Sequence, residues 1–338
     1  MTETLVTGKL ITDNWGLIGH EWAVDMLKKH VINGPRHAYL LAGPPGLGRR
    51  SLALRFAQAL NCLTPIDAGI PCGQCRDCKQ IQSMQQADLT VVQAESEGGI
   101  IKVDQIRDAR RMLTLKPYMA KYRVALFLRF HEANDNAANA LLKTLEEAPS
   151  YVVLILTADN PEQLLPTIVS RCEVLRLRPL SIEDVQRELG MRGLENERAK
   201  LISHISGGRF GYALQLVEDG SLLEKREEQL NDLQRLVTSS RVEKFAYADK
   251  LARDKDSMRH TILTWLSYWR DVMLRAAQAE TPLTNLDRNM EIENLAGRMN
   301  LSSARNVVAK LEDALEKMER NVNPRLLAEV LLLDLPKM

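Results

Sequence analysis

The chain has 338 residues, of which 45% are hydrophobic and 26% are charged, and its formal net charge is +1. This length exceeds one ordinary hydrophobic core, so we expect two or three domains. The near-zero charge excludes a strong overall attraction to nucleic acid, and a 5% aromatic content argues against a base-stacking surface. No apolar run reaches the ~20 residues that span a bilayer, and Met1–Leu5 lacks an export signal. We therefore expect a cytoplasmic protein without a membrane partner.

Predicted strands and helices alternate over the first 180 residues. In chain order they are a helix over Glu21–Val31, a strand over His37–Ala42, a helix over Ser51–Leu60, a strand over Asp88–Gln93, a helix over Val103–Leu115, a strand over Arg123–Leu128, a helix over Asn136–Glu147, and strands over Tyr151–Leu156 and Cys172–Leu177. Continuously apolar strands are typical of parallel sheets with helices on both faces. The sequence therefore predicts an α/β domain.

The pattern becomes wholly helical after Arg178-Pro179. A small helical unit is predicted over Ser181–Asp219, and it ends with the glycine-containing stretch 207–211. Beyond Leu222 the apolar periodicity indicates several long amphipathic helices, including Val308–Met318 and Arg325–Leu333. The second half of the chain is thus expected to be all-α.

A glycine-rich segment lies between the first apolar strand and the helix that follows it. Gly43-Pro-Pro-Gly-Leu-Gly-Arg-Arg-Ser51 has the spacing of the phosphate-binding loop G-x-x-x-x-G-K-[ST]. Arg49 replaces the lysine and Arg50 replaces the magnesium-binding hydroxyl, and a guanidinium at that place repels the metal. The candidate nucleotide-binding residues, in a degenerate loop predicted to be non-functional, are Gly43, Gly46, Gly48, Arg49, Arg50 and Ser51. Whether the backbone N–H groups still hold a phosphate stays open.

A nucleotide hydrolase with a phosphate-binding loop also needs an acidic pair at the end of a neighbouring strand, which holds Mg²⁺. At the corresponding place this chain has Leu128 and Arg129, which cannot hold a magnesium ion. Glu132 follows three residues later, and we expect it to be a solvated carboxylate at a helix start rather than a base. The sequence therefore predicts that this chain does not carry out Mg²⁺-dependent ATP hydrolysis in its own site.

Four of the five cysteines lie within seventeen residues. The set is Cys62, Cys72, Cys75 and Cys78, three of them separated by two residues each. Such spacing lets one turn present several thiolates to a tetrahedral Zn²⁺, with all four ligand places filled by protein. We therefore expect a structural zinc, with an iron–sulfur cluster as the chemical alternative.

Taken in order, these motifs resemble the bacterial clamp-loader subunits of the AAA+ ATPase class, most closely the delta-prime type of DNA polymerase III. Besides the loop and the cysteines, the matching segments are Ile18–His20, His37–Leu40, Val103–Arg107, Asn139–Glu147 and Leu165–Cys172. The resemblance implies an AAA+ domain over 1–179 with a zinc module at 62–78, a helical lid over 180–220 and a helical collar over 221–338. It also implies partnership with gamma/tau motor subunits and delta, and indirectly with the sliding clamp and primed DNA.

In that family the arginine of the Ser-Arg-Cys run is an arginine finger, inserted into the ATP site of the adjacent motor subunit. The resemblance implies that role for Arg171. The family's sensor 2 arginine is replaced by Gly211, and the sensor 1 region reads Thr157-Ala-Asp159. These departures indicate the non-hydrolysing type, which assists clamp loading inside the DNA polymerase III holoenzyme.

Two alternatives remain at this stage. One is an ATP-hydrolysing gamma/tau-type motor subunit with variant motifs, against which Arg50, Leu128 and Arg129 argue. The other is a DNA-binding accessory module, suggested by a group of basic residues that are more often a solvated helix face: Lys102, Arg107, Arg110, Arg111, Lys116, Lys121 and Arg123.

Overall fold

A computed structural model describes residues 13–96, 98–319 and 322–336. The chain divides into two compact units. The first contains the described residues up to Leu180 together with Arg209–Tyr212. The second contains Ser181–Gly208 and the described residues from Ala213 onward.

The first unit is built on a five-stranded sheet whose paired strands are all parallel. Its strands are β1 (Ala38–Ala42), β2 (Leu89–Val92), β3 (Arg123–Phe127), β4 (Val152–Ala158) and β5 (Glu173–Arg176), in the order β2-β3-β4-β1-β5. Every residue of β1, β3 and β4 is buried, which explains why these strands are apolar except for Arg123 and Thr157. The expected parallel α/β sheet is confirmed.

Helices cover both faces of this sheet. They are α1 (Glu21–Asn33), α2 (Arg49–Asn61), α3 (Arg76–Gln82), α4 (Val103–Leu113), α5 (Asp135–Glu146) and α6 (Pro166–Val169). Residues of α1 and α2 form one core with Tyr39 and Leu41, and residues of α4 and α5 form the other with Leu40. Neighbouring residues of β1 point to opposite faces, so one strand contributes to both cores.

The second unit is helical throughout its described residues. It contains α7 (Ile182–Met191), α8 (Asn196–Ser206), most of α9 (Phe210–Glu218), α10 (Gly220–Thr238), α11 (Arg241–Leu251), α12 (Lys255–Ala276), α13 (Asn289–Arg298), α14 (Leu301–Glu319) and α15 (Pro324–Asp334). Trp265 and Trp269 of α12 lie at the centre of its core with Leu311 and Leu332. The predicted all-α second half is confirmed, and the boundaries of lid and collar at 180–220 and 221–338 stay predictions. None of the helices described has an apolar run long enough to cross a bilayer.

Candidate functional site

The glycine loop, residues 43–48, connects the carboxyl end of β1 to the first turn of α2. Gly43, Gly46 and Gly48 have φ values of 149°, 83° and 89°, which side-chain-bearing residues rarely adopt. Ser51 is exposed in the first turn of α2. The three glycines thus form a tight turn immediately before the first residue of α2, and a role for this loop in phosphate binding stays a prediction.

Arg49 does not project freely into this loop but is engaged inside the protein. It is 8% exposed, and its Nη2 lies 2.7 Å from Oδ1 of Asp159, which directly follows β4. Its Nη1 is buried and has no hydrogen-bond partner among the described residues. The cation at the lysine position is thus paired with a carboxylate of its own chain.

His131 also lies against Asp159. Its Nε2 lies 3.8 Å from Oδ1 of Asp159, and its Nδ1 accepts a 3.4 Å hydrogen bond from the backbone N–H of Asp159. Burial lowers the pKa of His131, although the nearby carboxylates of Asp159 and Glu132 oppose this shift. At neutral pH the ring is uncharged, and Arg49 remains the cation that balances Asp159.

The place of the missing acidic pair is occupied by a second internal ion pair. Leu128 is buried after β3, and Arg129 has a left-handed φ of 49°. The Nε of Arg129 lies 2.8 Å from Oε1 of Glu132. The Glu132 side chain is only 6% exposed, so the expectation of a solvated carboxylate at a helix start is wrong. Glu132 is the last residue of a 3₁₀ turn over Phe130–Glu132. Its Oε1 also accepts a 2.9 Å hydrogen bond from the backbone N–H of Gly98.

Gly211, at the position of the sensor 2 arginine, lies against the glycine loop. Its N–H donates a 2.8 Å hydrogen bond to the carbonyl oxygen of Gly46. A Cβ on Gly211 would lie 2.8 Å from the carbonyl oxygen of Gly46. A Cβ on Gly46 would lie 2.7 Å from the Cβ of Tyr212. Neither position has room for a side chain, which gives a physical reason for glycine at both. Arg209 stacks instead on the Tyr212 ring, 4.6 Å from its centroid.

The four predicted cysteine ligands meet in one cluster. Cys62 ends α2, Cys75 caps α3 and Cys78 lies inside α3, so the fold places them around the loop that carries Cys72. The sulfur atoms of Cys62 and Cys72 are 3.5 Å apart, and those of Cys72 and Cys78 are 4.0 Å apart. All four sulfurs lie within 4.8 Å of one another. A tetrahedral zinc with Zn–S bonds of about 2.3 Å separates its sulfurs by about 3.8 Å, so the geometry fits.

The surroundings of the cysteines shift their pKa values in opposite directions. Burial acts to raise the pKa of Cys72, but the Thr64 hydroxyl and the N–H groups of Cys75 and Gln74 lower it to about 6. Burial raises the pKa of Cys62 and Cys78, so these thiols keep their protons without a counter-charge. A metal that displaces those protons would neutralise the crowded sulfurs.

Arg171 lies beyond the last turn of α6 and is 35% exposed, unlike Arg49. Its Nη2 lies 2.6 Å from Oε1 of Glu146, the last residue of α5, and its Nη1 donates a 2.8 Å bond to the Thr167 carbonyl. Cys172, the next residue, is outside the cysteine cluster, and burial raises its pKa to about 12. The predicted finger residue is therefore at the surface.

The family follows from comparison with known proteins. A family profile described as "DNA polymerase III, delta subunit" matches residues 19–181, and one described as "DNA polymerase III, delta subunit, C terminal" matches residues 221–337. The DNA polymerase III subunit delta' of Pseudomonas aeruginosa is 32% identical over 304 residues, covering 88% of this chain and 89% of that protein. The chain belongs to the DNA polymerase III delta' family. The resemblance to the delta-prime type of DNA polymerase III subunit is thereby confirmed.

Two further proteins differ in how much of the chain they match. The DNA polymerase III subunit tau of Escherichia coli is 35% identical over 174 residues, covering 51% of this chain and 26% of that protein. A solved DNA polymerase III gamma subunit-related protein from Thermotoga maritima covers 92% of this chain and 97% of its own, with 18% identity and a TM-score of 0.49. The tau relative thus matches about half of this chain, whereas the delta' relative matches most of it.

Proposed function

We propose that this chain is a clamp-loader subunit of the delta' type that acts in the cytoplasm, in a ring with gamma/tau-type motor subunits and a delta subunit. It helps to load the sliding clamp on primed DNA. It hydrolyses no ATP itself and supplies Arg171 as an arginine finger to the neighbouring motor subunit. The observation that carries this proposal is the contrast between two arginines: Arg49 is buried against Asp159, whereas Arg171 is at the surface.

The charges around the glycine loop support the proposal that this chain does not itself hydrolyse ATP. A hydrolytic site needs a cation that cradles the outer phosphates and carboxylates that hold Mg²⁺. Here Asp159 already neutralises Arg49, and Glu132 already neutralises Arg129. The exposed Arg50 stands where a metal-binding hydroxyl is required. Mg²⁺ would meet guanidinium groups, and each carboxylate would have to leave its own ion pair.

This proposal predicts that the purified chain alone will not hydrolyse ATP above background, with or without primed DNA. The reason is the missing metal site rather than weak binding, so raising Mg²⁺ will not restore turnover. The measurement is phosphate release under conditions in which the motor subunit hydrolyses ATP. Clear turnover that survives repurification would favour the gamma/tau-type alternative.

The DNA-binding alternative loses part of its basis in the structure. Arg123 is buried and forms an ion pair with Asp88. Arg107 and Arg111 are exposed, but each is paired with an aspartate one helical turn earlier. Steeply salt-dependent binding of primed DNA by the isolated chain would revive this alternative.

For the cysteine cluster we propose one structural zinc ion, held by Cys62, Cys72, Cys75 and Cys78. The ion would join the end of α2 to the start of α3 and would have no open position for catalysis. Sulfurs within 4.8 Å of one another suit a single ion. A [4Fe–4S] cluster, the alternative, attaches each sulfur to a different iron and holds them further apart.

Metal analysis of the purified protein should therefore find about one zinc per chain and no stoichiometric iron. Cys75→Ser should lose most of this zinc, because a hydroxyl is a poor ligand for the soft site. Cys172→Ser is the matched control and should retain it, since Cys172 lies outside the cluster. Equal zinc in the two variants would contradict the assignment.

A further inference from the structure

The guanidinium of Arg171 is held at two of its nitrogens by its own chain. Nη2 contacts Oε1 of Glu146 at 2.6 Å, and Nη1 donates to the carbonyl oxygen of Thr167 at 2.8 Å. A guanidinium carries five N–H donors, and these contacts use two of them. The remaining donors are available to a phosphate presented by another subunit.

Both anchors sit on well-fixed parts of the first unit. Glu146 is the last residue of α5, which buries Leu141 and Leu145 and is capped by Asn134. The backbone N–H of Arg171 bonds the carbonyl of Ile168, whose side chain is fully buried. The guanidinium is therefore tied both to the end of α5 and to α6, the short helix that precedes Arg171.

We propose that Glu146 is the positioning residue of Arg171. This inference rests on the proposed function of Arg171 as a finger. A long side chain that is one-third exposed samples many rotamers, and charge-assisted bonds at two nitrogens select one of them. The finger is then ordered before it meets the neighbouring ATP, so less ordering is needed in the transition state. Water around the exposed carboxylate screens its charge, so the guanidinium keeps most of its attraction for phosphate.

The test uses the reconstituted clamp loader with Glu146→Gln in this chain. The amide keeps the size of the side chain but loses the charge that orients the guanidinium. We expect kcat at the adjoining motor site to fall about fivefold and KM for ATP to stay unchanged. A fivefold change corresponds to about 1 kcal/mol, which is the value of a surface ion pair. The matched control is Glu162→Gln, which breaks an ion pair of the same 2.6 Å length with Arg176, and it should leave kcat unchanged.

A double variant separates positioning from a general structural effect. In the Arg171→Ala background, Glu146→Gln should cause no further loss of kcat, because there is no guanidinium left to orient. An unchanged or faster rate with Glu146→Gln alone would overturn the inference, as would additive losses in the double variant. If Arg171→Ala itself leaves turnover unchanged, the finger proposal has failed, and that outcome is distinct from a failure of Glu146 alone.

Discussion

Replacing Arg171 by alanine will slow ATP hydrolysis at the motor site that adjoins this chain by roughly 10³-fold or more, the range known for arginine fingers. The guanidinium would stabilise charge on the transferring phosphoryl group, and alanine leaves that charge to solvent. The measurement is clamp- and DNA-stimulated ATP turnover by the reconstituted loader. The total ATP turnover of the loader should fall by at least the fraction that this one motor site contributes.

Two controls make the Arg171 result interpretable. Arg171→Lys keeps the charge but loses the planar fork, so it should restore only part of the rate. The thermal midpoint of the isolated chain should barely change in either variant, because the exposed pair with Glu146 contributes about 0–1 kcal/mol to stability. Wild-type turnover by the alanine variant in an intact complex would refute the finger.

Replacing Asp88 by asparagine will destabilise the first unit by about 3–5 kcal/mol, the usual cost of breaking a buried ion pair. Asp88 is 0% exposed and lies 2.9 Å from Nη2 of Arg123. Its carboxylate also accepts the backbone N–H groups of Tyr118, Met119 and Ala120. Asparagine keeps the shape but leaves the Arg123 guanidinium buried without a counter-charge.

Hydrogen exchange of the β2 and β3 amides in the full chain measures this loss directly. The matched control is Asp108→Asn, which breaks an exposed pair with Arg111 and should change exchange little. Equal protection in the Asp88 and Asp108 variants would show that the buried pair is not important for stability.

The same pair predicts an acid dependence. Burial acts to raise the pKa of Asp88, but the three N–H donors and Arg123 outweigh it, so the pKa lies below its ordinary range. A carboxyl with a depressed folded-state pKa contributes stability above its unfolded pKa and loses it as pH falls through the folded value. The stability gap between wild type and Asp88→Asn should therefore be constant near neutral pH and close below about pH 4.

Sequence patterns predicted the sheet well because its three central strands, β3, β4 and β1, are buried on both faces. Residues 124–127 of β3 and 152–156 of β4 are continuous apolar runs, and no amphipathic alternative competes with them. Helix ends were less predictable: α2 starts at Arg49, two residues before the predicted Ser51, because Gly48 ends the loop in a left-handed conformation. α4 stops at Leu113, two residues before the predicted Leu115. These ends depend on backbone geometry that periodicity does not record.

The candidate site was predictable only where its parts are close in sequence. The cysteine spacing revealed its cluster, because one turn and one helix hold three of the four sulfurs. The Arg49–Asp159 ion pair and the Gly211–Gly46 hydrogen bond join residues more than a hundred positions apart, so local sequence patterns do not predict them. Arg123 did carry a sequence signal of its pair with Asp88, since a cation that opens an apolar strand needs a buried partner. The burial of Glu132 has no such signal, because its ion pair with Arg129 requires a left-handed residue that sequence alone does not indicate.

We propose that this chain contributes an arginine, and no ATP site, to hydrolysis by its neighbour. The decisive experiment uses a loader in which every motor subunit except the one that adjoins this chain carries an inactivated P-loop lysine. Single-turnover hydrolysis by that one site, with wild-type chain and with Arg171→Ala, is the measurement. We predict hydrolysis with the wild-type chain and a rate at least ~10³-fold lower with the variant. Equal rates in the two complexes would contradict the claim.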